Sequence, residues 1–432
     1  MTVTVFIVSL LGAMAIGMPI AYALIVCGVA LMGYLSIFTT LVSFDTQIIA
    51  QRFVDGADNF PLLAVPFFML AGEFMNAGGL SRRIVNLAMA WVGHYRGGLG
   101  YVAVVAAIIM ASLSGSAVAD TAALAALLLP MMKAAGYDVK RSCGLIASGG
   151  IIAPVIPPSI GFIVFGVAGN VSITKLFLAG IVPGVLMGLS LAVTWWWLAK
   201  RENVAPAPRM PISERIRVTF DGSLALALPV VIIGGMKAGL FTPTEAAVVA
   251  AVYSFVVGMF VYRELKVSAL YRLILTAGKT TAVIMFLVAA AMVSAWLITV
   301  ANIPDEVAAM LKPFMGNKML LMFIMMVLIL VIGTALDFTP TVLILTPVLM
   351  PVVKQAGIDP VYFGVLFIIN NAIGLITPPV GTVLNVVCGV AKISLDDSFK
   401  GVMPFLIAET IVMMLMVVFP EIVTVPLAWW TR

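Results

Sequence analysis

Apolar residues run along this chain in long blocks parted by short polar or Gly/Pro-bearing breaks. A bilayer span needs roughly 20 such residues, and blocks of that kind lie at 3–16, 19–38, 60–78, 143–168 and 176–199, then at 222–239, 243–262, 276–300, 361–390 and 403–428. The first two are short, and Gly17-Met18-Pro19 between them reads as a kink. Two further apolar pairs do not read as simple spans. Residues 98–111 and 117–134 flank Ser-Leu-Ser-Gly-Ser-Ala-Val-Ala-Asp (112–120), and 319–332 and 341–355 flank Gly-Thr-Ala-Leu-Asp-Phe-Thr-Pro (333–340). Each arm is too short or too tightly turned to cross and return, so re-entrant helical hairpins with polar tips are expected.

The breaks repeat. Pro157-Pro158 and Pro378-Pro379 stand 221 positions apart, and the same offset lays Pro130 on Pro351, Lys133 on Lys354, Gly136 on Gly357 and Asp138 on Asp359. It also lays Ala-Pro-Val-Ile-Pro-Pro-Ser (153–159) on Gly-Leu-Ile-Thr-Pro-Pro-Val (374–380). Broken apolar helices at matching places in two halves point to the binding site of a secondary transporter, because irregular backbone in a bilayer survives only where something uses its free polar groups. The expected architecture is an all-α polytopic membrane protein of two repeats, 1–199 and 222–432, joined by a linker at 200–221. Each repeat carries a hairpin (about 98–134 and 319–355) and a Pro-broken helix (about 143–168 and 361–390).

Composition agrees: 63% hydrophobic and 10% charged residues, with mean hydropathy +1.18, exclude a soluble domain. Charge then orients the chain. With the N-terminus outside and five crossings per half, 17 of the 24 Lys and Arg fall on one side and seven on the other. The positive-inside rule puts the linker, with Arg209, Arg215 and Arg217, in the cytoplasm and both termini in the periplasm. An odd number of crossings per half makes the repeats inverted, the symmetry that alternating access requires. The net charge of +5 therefore reports topology and not a nucleic-acid partner. Cys27, Cys143 and Cys388 lack metal-ligand spacing and read as buried hydrophobes. The apolar N-terminus has no basic n-region or cleavage site and reads as a retained first helix. No GxxxxGK[ST], CxxC or HExxH motif is present, so no enzyme is expected and an ion gradient, or the rest of a complex, must supply energy.

Ser112, Ser114 and Gly115 at one tip, and Gly333, Thr334 and Thr339 at the other, offer hydroxyls and accessible backbone beside prolines that cannot donate an N–H. Such oxygens suit Na⁺, and half-helix N-termini direct partial positive charge at an anion. Ionisable residues in apolar surroundings are candidates by default. Asp120 and Asp337 stand at the tips, while Glu73, Glu245 and Glu409 lie in or near spans and are read as paired or terminal. His94, the single histidine, reads as interfacial; Trp195-Trp196-Trp197 and Trp429-Trp430 read as an aromatic belt. Gly93 and Gly97 make a weak GxxxG spacing.

Ser112 to Asp120, Gly149-Gly150-Ile-Ile-Ala-Pro-Val-Ile-Pro-Pro-Ser159 and Asn371-Ala-Ile-Gly-Leu-Ile-Thr-Pro-Pro-Val-Gly381 resemble the large membrane subunit of TRAP (tripartite ATP-independent periplasmic) transporters, as do Gly17–Tyr22 and Asn76–Leu80. The resemblance covers essentially the whole chain. It implies a Na⁺-driven, elevator-type importer of organic acids in the bacterial inner membrane, with Na⁺ as coupling ion and no cofactor. It also implies a small four-helix membrane subunit, expected as a separate polypeptide, and a periplasmic substrate-binding protein. By the same resemblance one Na⁺ site uses Ser112, Ser114, Ala153, Ile156 and Pro158, and the other Gly333, Thr334, Gly374, Thr377 and Val380. Substrate is expected near Ser116, Ser159, Asn170, Asp337, Thr382 and Asn385. A C4-dicarboxylate, sialic acid or another sugar acid all fit, with a lean to sugar acids. A stand-alone Na⁺/dicarboxylate symporter and a non-transport subunit of an ion-translocating complex, for which Lys279 and Glu73 are loose candidates, are the competing readings.

Overall fold

The computed structural model describes residues 2–39, 44–200, 206 and 208–431, and among these every regular element is helical. The first half comprises α1 (Thr2–Ala15), α2 (Ile20–Phe38), α3 (Thr46–Ala57), α4 (Ala64–Ala77, entered through a 3₁₀ turn at Phe60–Leu63), α5 (Leu80–Val92), α6 (Gly98–Ser114), α7 (Ala117–Ala134), α8 (Val139–Gly150), α9 (Ile160–Gly169) and α10 (Ile173–Ala199). The second comprises α11 (Ile212–Lys237), α12 (Pro243–Val256), α13 (Val267–Val300), α14 (Ile303–Leu311), α15 (Lys318–Ala335), α16 (Phe338–Gln355), α17 (Pro360–Gly374), α18 (Thr382–Ala391), α19 (Leu395–Val418) and α20 (Glu421–Trp430).

The residues matched by the repeat have local work to do. Lys133 and Lys354 sit in the last turns of α7 and α16, opposite the negative helix end. Gly136 (φ +84°) and Gly357 (φ +63°) then take the left-handed conformation that stops each helix. Asp138 and Asp359 start α8 and α17, their carboxylates accepting from the N–H groups of Lys140 and Arg141 and of Val361 and Tyr362. The hairpins are therefore α6–α7 and α15–α16, and the broken helices α8–α9 and α17–α18.

Several expectations need correction. Gly17 (φ +83°) makes a turn and not a kink, so that α1 folds back on α2. The block at 403–428 is two helices, because α19 ends at Val418 and Pro420 cannot continue it. Part of the expected linker lies outside the described residues, and its second half is already α11. Helices α3, α5 and α14 lie outside the predicted blocks: each is short and amphipathic, carrying Arg52 and Asp55, Arg82 and Arg83, or Asp305 and Glu306. Trp195 is no belt residue. It is fully buried, donates to the Gly97 carbonyl at 2.8 Å and fills space that a side chain at Gly100 would occupy; Trp196 and Trp197 are exposed. Cys27 and Cys143 are buried and Cys388 is half-buried, all free, and Glu245 closes a capping box with Thr242 at the start of α12.

The halves differ in one long element. Shifted by the repeat offset, α3, the 3₁₀ turn and α4 fall on α13, which runs 34 residues without interruption. Pro61 stands in the interruption of the first half and Ala282 at the matching place in α13. Helices α2, α3, α4 and α12 pack with α13 into one body. The hairpins and broken helices form a second, in which the halves interlock: α16 lies along α9, and α7 along α18. Helix α5 bridges the bodies, packing on α11 and α6. It is tied down by Arg83, whose guanidinium reaches Glu264 at 2.7 Å and Asp221 at 3.3 Å and lies over the Tyr262 ring.

Candidate functional site

Each hairpin tip seats against the middle of the broken helix of its own half. At the first, Gly115 adopts φ +64°, and a Cβ there would collide with the Pro158 carbonyl oxygen. The Ser112 hydroxyl donates to the Ile109 carbonyl at 2.6 Å, and that of Ser114 donates to Asp120 at 2.5 Å while accepting from the Ser116 N–H. Residues 151–159, including Ala153, Ile156 and Pro158, are wholly buried. Helix α10 closes over them, its Gly180 and Gly184 admitting Val155 and Ile156. Ser159 caps α9, accepting from the Phe162 N–H at 3.1 Å and donating to the Pro154 carbonyl.

At the second tip a Cβ on Gly374 would lie 2.8 Å from the Gly333 carbonyl oxygen, so a glycine at 374 is needed for the backbones to meet. The Val380 N–H donates to the Thr334 carbonyl at 3.3 Å. Hydroxyls of Thr334 and Thr377 donate back to Val331 and Ile373 of their own helices, each at 2.8 Å. A hydroxyl donating in this way still presents lone pairs, so Ser112, Thr334 and Thr377 retain oxygens for a cation. Unlike the first break, Thr377–Val380 is open to the outside.

The halves also slip by one residue after the prolines. Ser159 precedes α9 directly, but both Val380 and Gly381 precede α18, so that the counterpart of the Ser159 cap is Gly381, which has no side chain to offer. The overlay of Ser159 on Val380 therefore fails at its last position, and α18 begins without a side-chain cap.

Both tips line a cavity of about 190 Å³, with Gly115 and Ser116 on one side and Asp337, Phe338 and Thr339 on the other. Pro154, Gly161 and Leu375 come from the broken helices, and Met69, Thr280 and Ile284 from α4 and α13. Helices α7, α9 and α16 begin at its wall, and the Thr382 hydroxyl at the start of α18 donates to Asp337 at 3.4 Å. No Lys or Arg lines it; its one charged residue is Asp337. A neighbouring cavity of about 640 Å³ shares Ile284, Asp337 and Thr339 and extends to Pro19–Tyr22 and Phe286.

Of the expected substrate residues, Ser116 and Asp337 line the small cavity and Thr382 is bonded to Asp337. Asn385 donates to the Val380 carbonyl at 2.8 Å, and Ser159 is buried as a cap. Asn170 stands apart, at the far end of α9 in another cavity with Asn59 and Thr242. Glu409 is fully buried in α19 with neither oxygen hydrogen-bonded. Two groups leave little mark in the sequence. Thr280 is marked in sequence only as a polar residue within an apolar helix. Asn371 opens a quoted motif, yet its meaning depends on a tertiary contact.

Two hairpins set against two Pro-broken helices define a polytopic secondary-transporter fold, and the solved Alcanivorax borkumensis YdaH transporter shares it (TM-score 0.67, 15% identity, 92% of this chain and 96% of that one). Residues 7–422 match the Tripartite ATP-independent periplasmic transporter, DctM component. The chain belongs to this family and is a TRAP large permease subunit, not an enzyme. It is 57% identical to the 2,3-diketo-L-gulonate TRAP transporter large permease protein of Escherichia coli, over 99% of this chain and 100% of that protein. It is 37% identical to the sialic acid TRAP transporter large permease protein of Vibrio cholerae (95% of each), and 36% identical to the C4-dicarboxylate TRAP transporter large permease protein of Pseudomonas aeruginosa (87% and 88%).

Proposed function

We propose that this subunit imports a sugar-acid anion across the bacterial inner membrane, driven by Na⁺, together with a small membrane subunit and a periplasmic binding protein that delivers the substrate. Identity of 57% over the whole length to a 2,3-diketo-L-gulonate permease favours a keto sugar acid over a C4-dicarboxylate. The observation that carries the mechanism is the cavity between the tips. A carboxylate entering it meets no cationic side chain but the carboxylate of Asp337, and like charges repel strongly away from water. Compensation must come from half-helix N-termini and from bound cations. The start of α18 has no side-chain cap, its Val383 N–H donating to the Leu375 carbonyl, whereas Ser159 takes the Phe162 N–H of α9. Substrate and ions then move with the interlocked hairpin body past α4 and α13, as an elevator.

Proteoliposomes holding this chain and the small subunit test the proposal. Uptake of 2,3-diketo-L-gulonate is expected only with an inward Na⁺ gradient and the binding protein added outside. Uptake by the chain alone would favour a stand-alone symporter; uptake driven equally well without Na⁺ would remove the coupling. Orientation has its own test. A single cysteine at Arg209 in intact cells should resist an impermeant thiol reagent, and its labelling from outside would reverse the cytoplasmic placement of that segment.

A further inference from the structure

We propose that the side-chain oxygen of Asn371 is a ligand of the ion at the second hairpin tip, taking the place that the Ser112 hydroxyl holds at the first. The inference rests on the Na⁺ coupling proposed above and assigns one ligand within it.

Asn371 is fully buried near the end of α17. Its Nδ2 donates to the Phe338 carbonyl at 2.8 Å, which fixes the amide plane, and its Oδ1 has no hydrogen-bond partner. That oxygen is aimed at the hairpin tip: a Cβ on Gly333 would lie 3.1 Å from it. A buried carbonyl oxygen without a partner costs about 1–3 kcal/mol, and such a group calls for a specific occupant. Around it are the Gly333–Gly374 backbone contact and the last turn of α15. These are neutral oxygen donors, the chemistry of a hard monovalent cation.

Comparison of the halves gives the reason for an asparagine here. At the repeat offset Ser112 corresponds to Gly333, Ser114 to Ala335 and Gly150 to Asn371. In the first half, hydroxyls stand on the hairpin and the broken helix has a glycine, whose missing side chain admits the Thr121 hydroxyl group. In the second half neither of those two hairpin positions has a hydroxyl, the one on the tip having moved to Thr334, and a further oxygen comes from the broken helix. The donor has changed sides of the same contact. The charge differs too: Asp120 of the first half corresponds to Thr341 of the second, so the two ions are held by unequal cages.

Na⁺-dependent thermal stabilisation of the purified full-length chain separates this inference from the coupling it rests on. In wild type, Na⁺ and not choline should raise the melting temperature; no Na⁺ response at all would sink the coupling itself. In Asn371→Leu the titration should split, one component staying at the wild-type concentration and the other moving about tenfold or more higher, the scale of a lost bond to a charged group. A curve superimposable on wild type would overturn the role of Asn371 and leave coupling intact. Two further variants guard against a merely structural effect. Asn371→Asp keeps the oxygen and the volume, and should bind the second ion at least as tightly as wild type; a tenfold loss would contradict the assignment. Asn371→Gly with Gly333→Ser rebuilds the first-half arrangement, and should recover at least half of the affinity lost in Asn371→Gly alone. Absence of any recovery would also count against it.

Discussion

A Gly115→Val variant is expected to reach the membrane and assemble yet lose Na⁺-driven uptake by more than about tenfold, because a left-handed residue with a Cβ costs roughly 1–2 kcal/mol before any collision is counted. Here there is a collision as well. The Cβ would strike the Pro158 carbonyl, which belongs to the backbone of a fully buried break and cannot rotate away as a flexible side chain would. The tip must lift, taking Ser114 and its bond to Asp120 with it. Initial uptake rates, beside size-exclusion profiles of the purified variant, distinguish this from misfolding. Wild-type rates would show that the tip and the break need not touch during transport.

The second large effect concerns the ions. Substrate affinity of the purified membrane complex should fall by at least about tenfold when choline replaces Na⁺, within the 5–150-fold range of ordinary coupling between sites. The reason is the cavity wall: Asp337 supplies the only formal charge and it has the wrong sign for a carboxylate. By reciprocity, saturating substrate should tighten Na⁺ binding by the same factor. Calorimetric titration in each cation measures it, and equal affinities would mean that a cationic side chain reaches the anion from outside this cavity.

Much of this was legible in the chain because membrane spans and interruptions leave strong marks. The Pro-Pro pairs, the polar tips and the Asp138/Asp359 and Gly136/Gly357 pairs each state a local rule, and the breaks stand where they predict. Helices α3, α5 and α14 were not legible by apolar length, since their burial is one-sided and their sequences carry charge. Trp195 reads as interfacial because it stands beside other tryptophans near a lysine, and only the glycines at 97 and 100, a long way off in sequence, show that it packs inward. The slip at Val380-Gly381 is invisible in an overlay anchored on prolines. Asn371 is the same problem in another form: its partner Gly333 is 38 positions earlier, and a single residue type gives no sign of which oxygen is left over.

The unbroken α13 opposite the interrupted α3–α4 bears on how the second conformation of this carrier can be constructed. Inverted repeats invite a simple recipe, in which each half is rethreaded onto the shape of the other to generate the oppositely open state. For the hairpins and broken helices the recipe has matching parts. For the wall they pack against it does not: rethreading would snap a 34-residue rod at Ala282, where no proline asks for it, and would straighten a joint that Pro61 holds open. The wall thus departs from the repeat symmetry, and under the elevator proposed above its two faces would offer unlike tracks at the start and the end of a stroke.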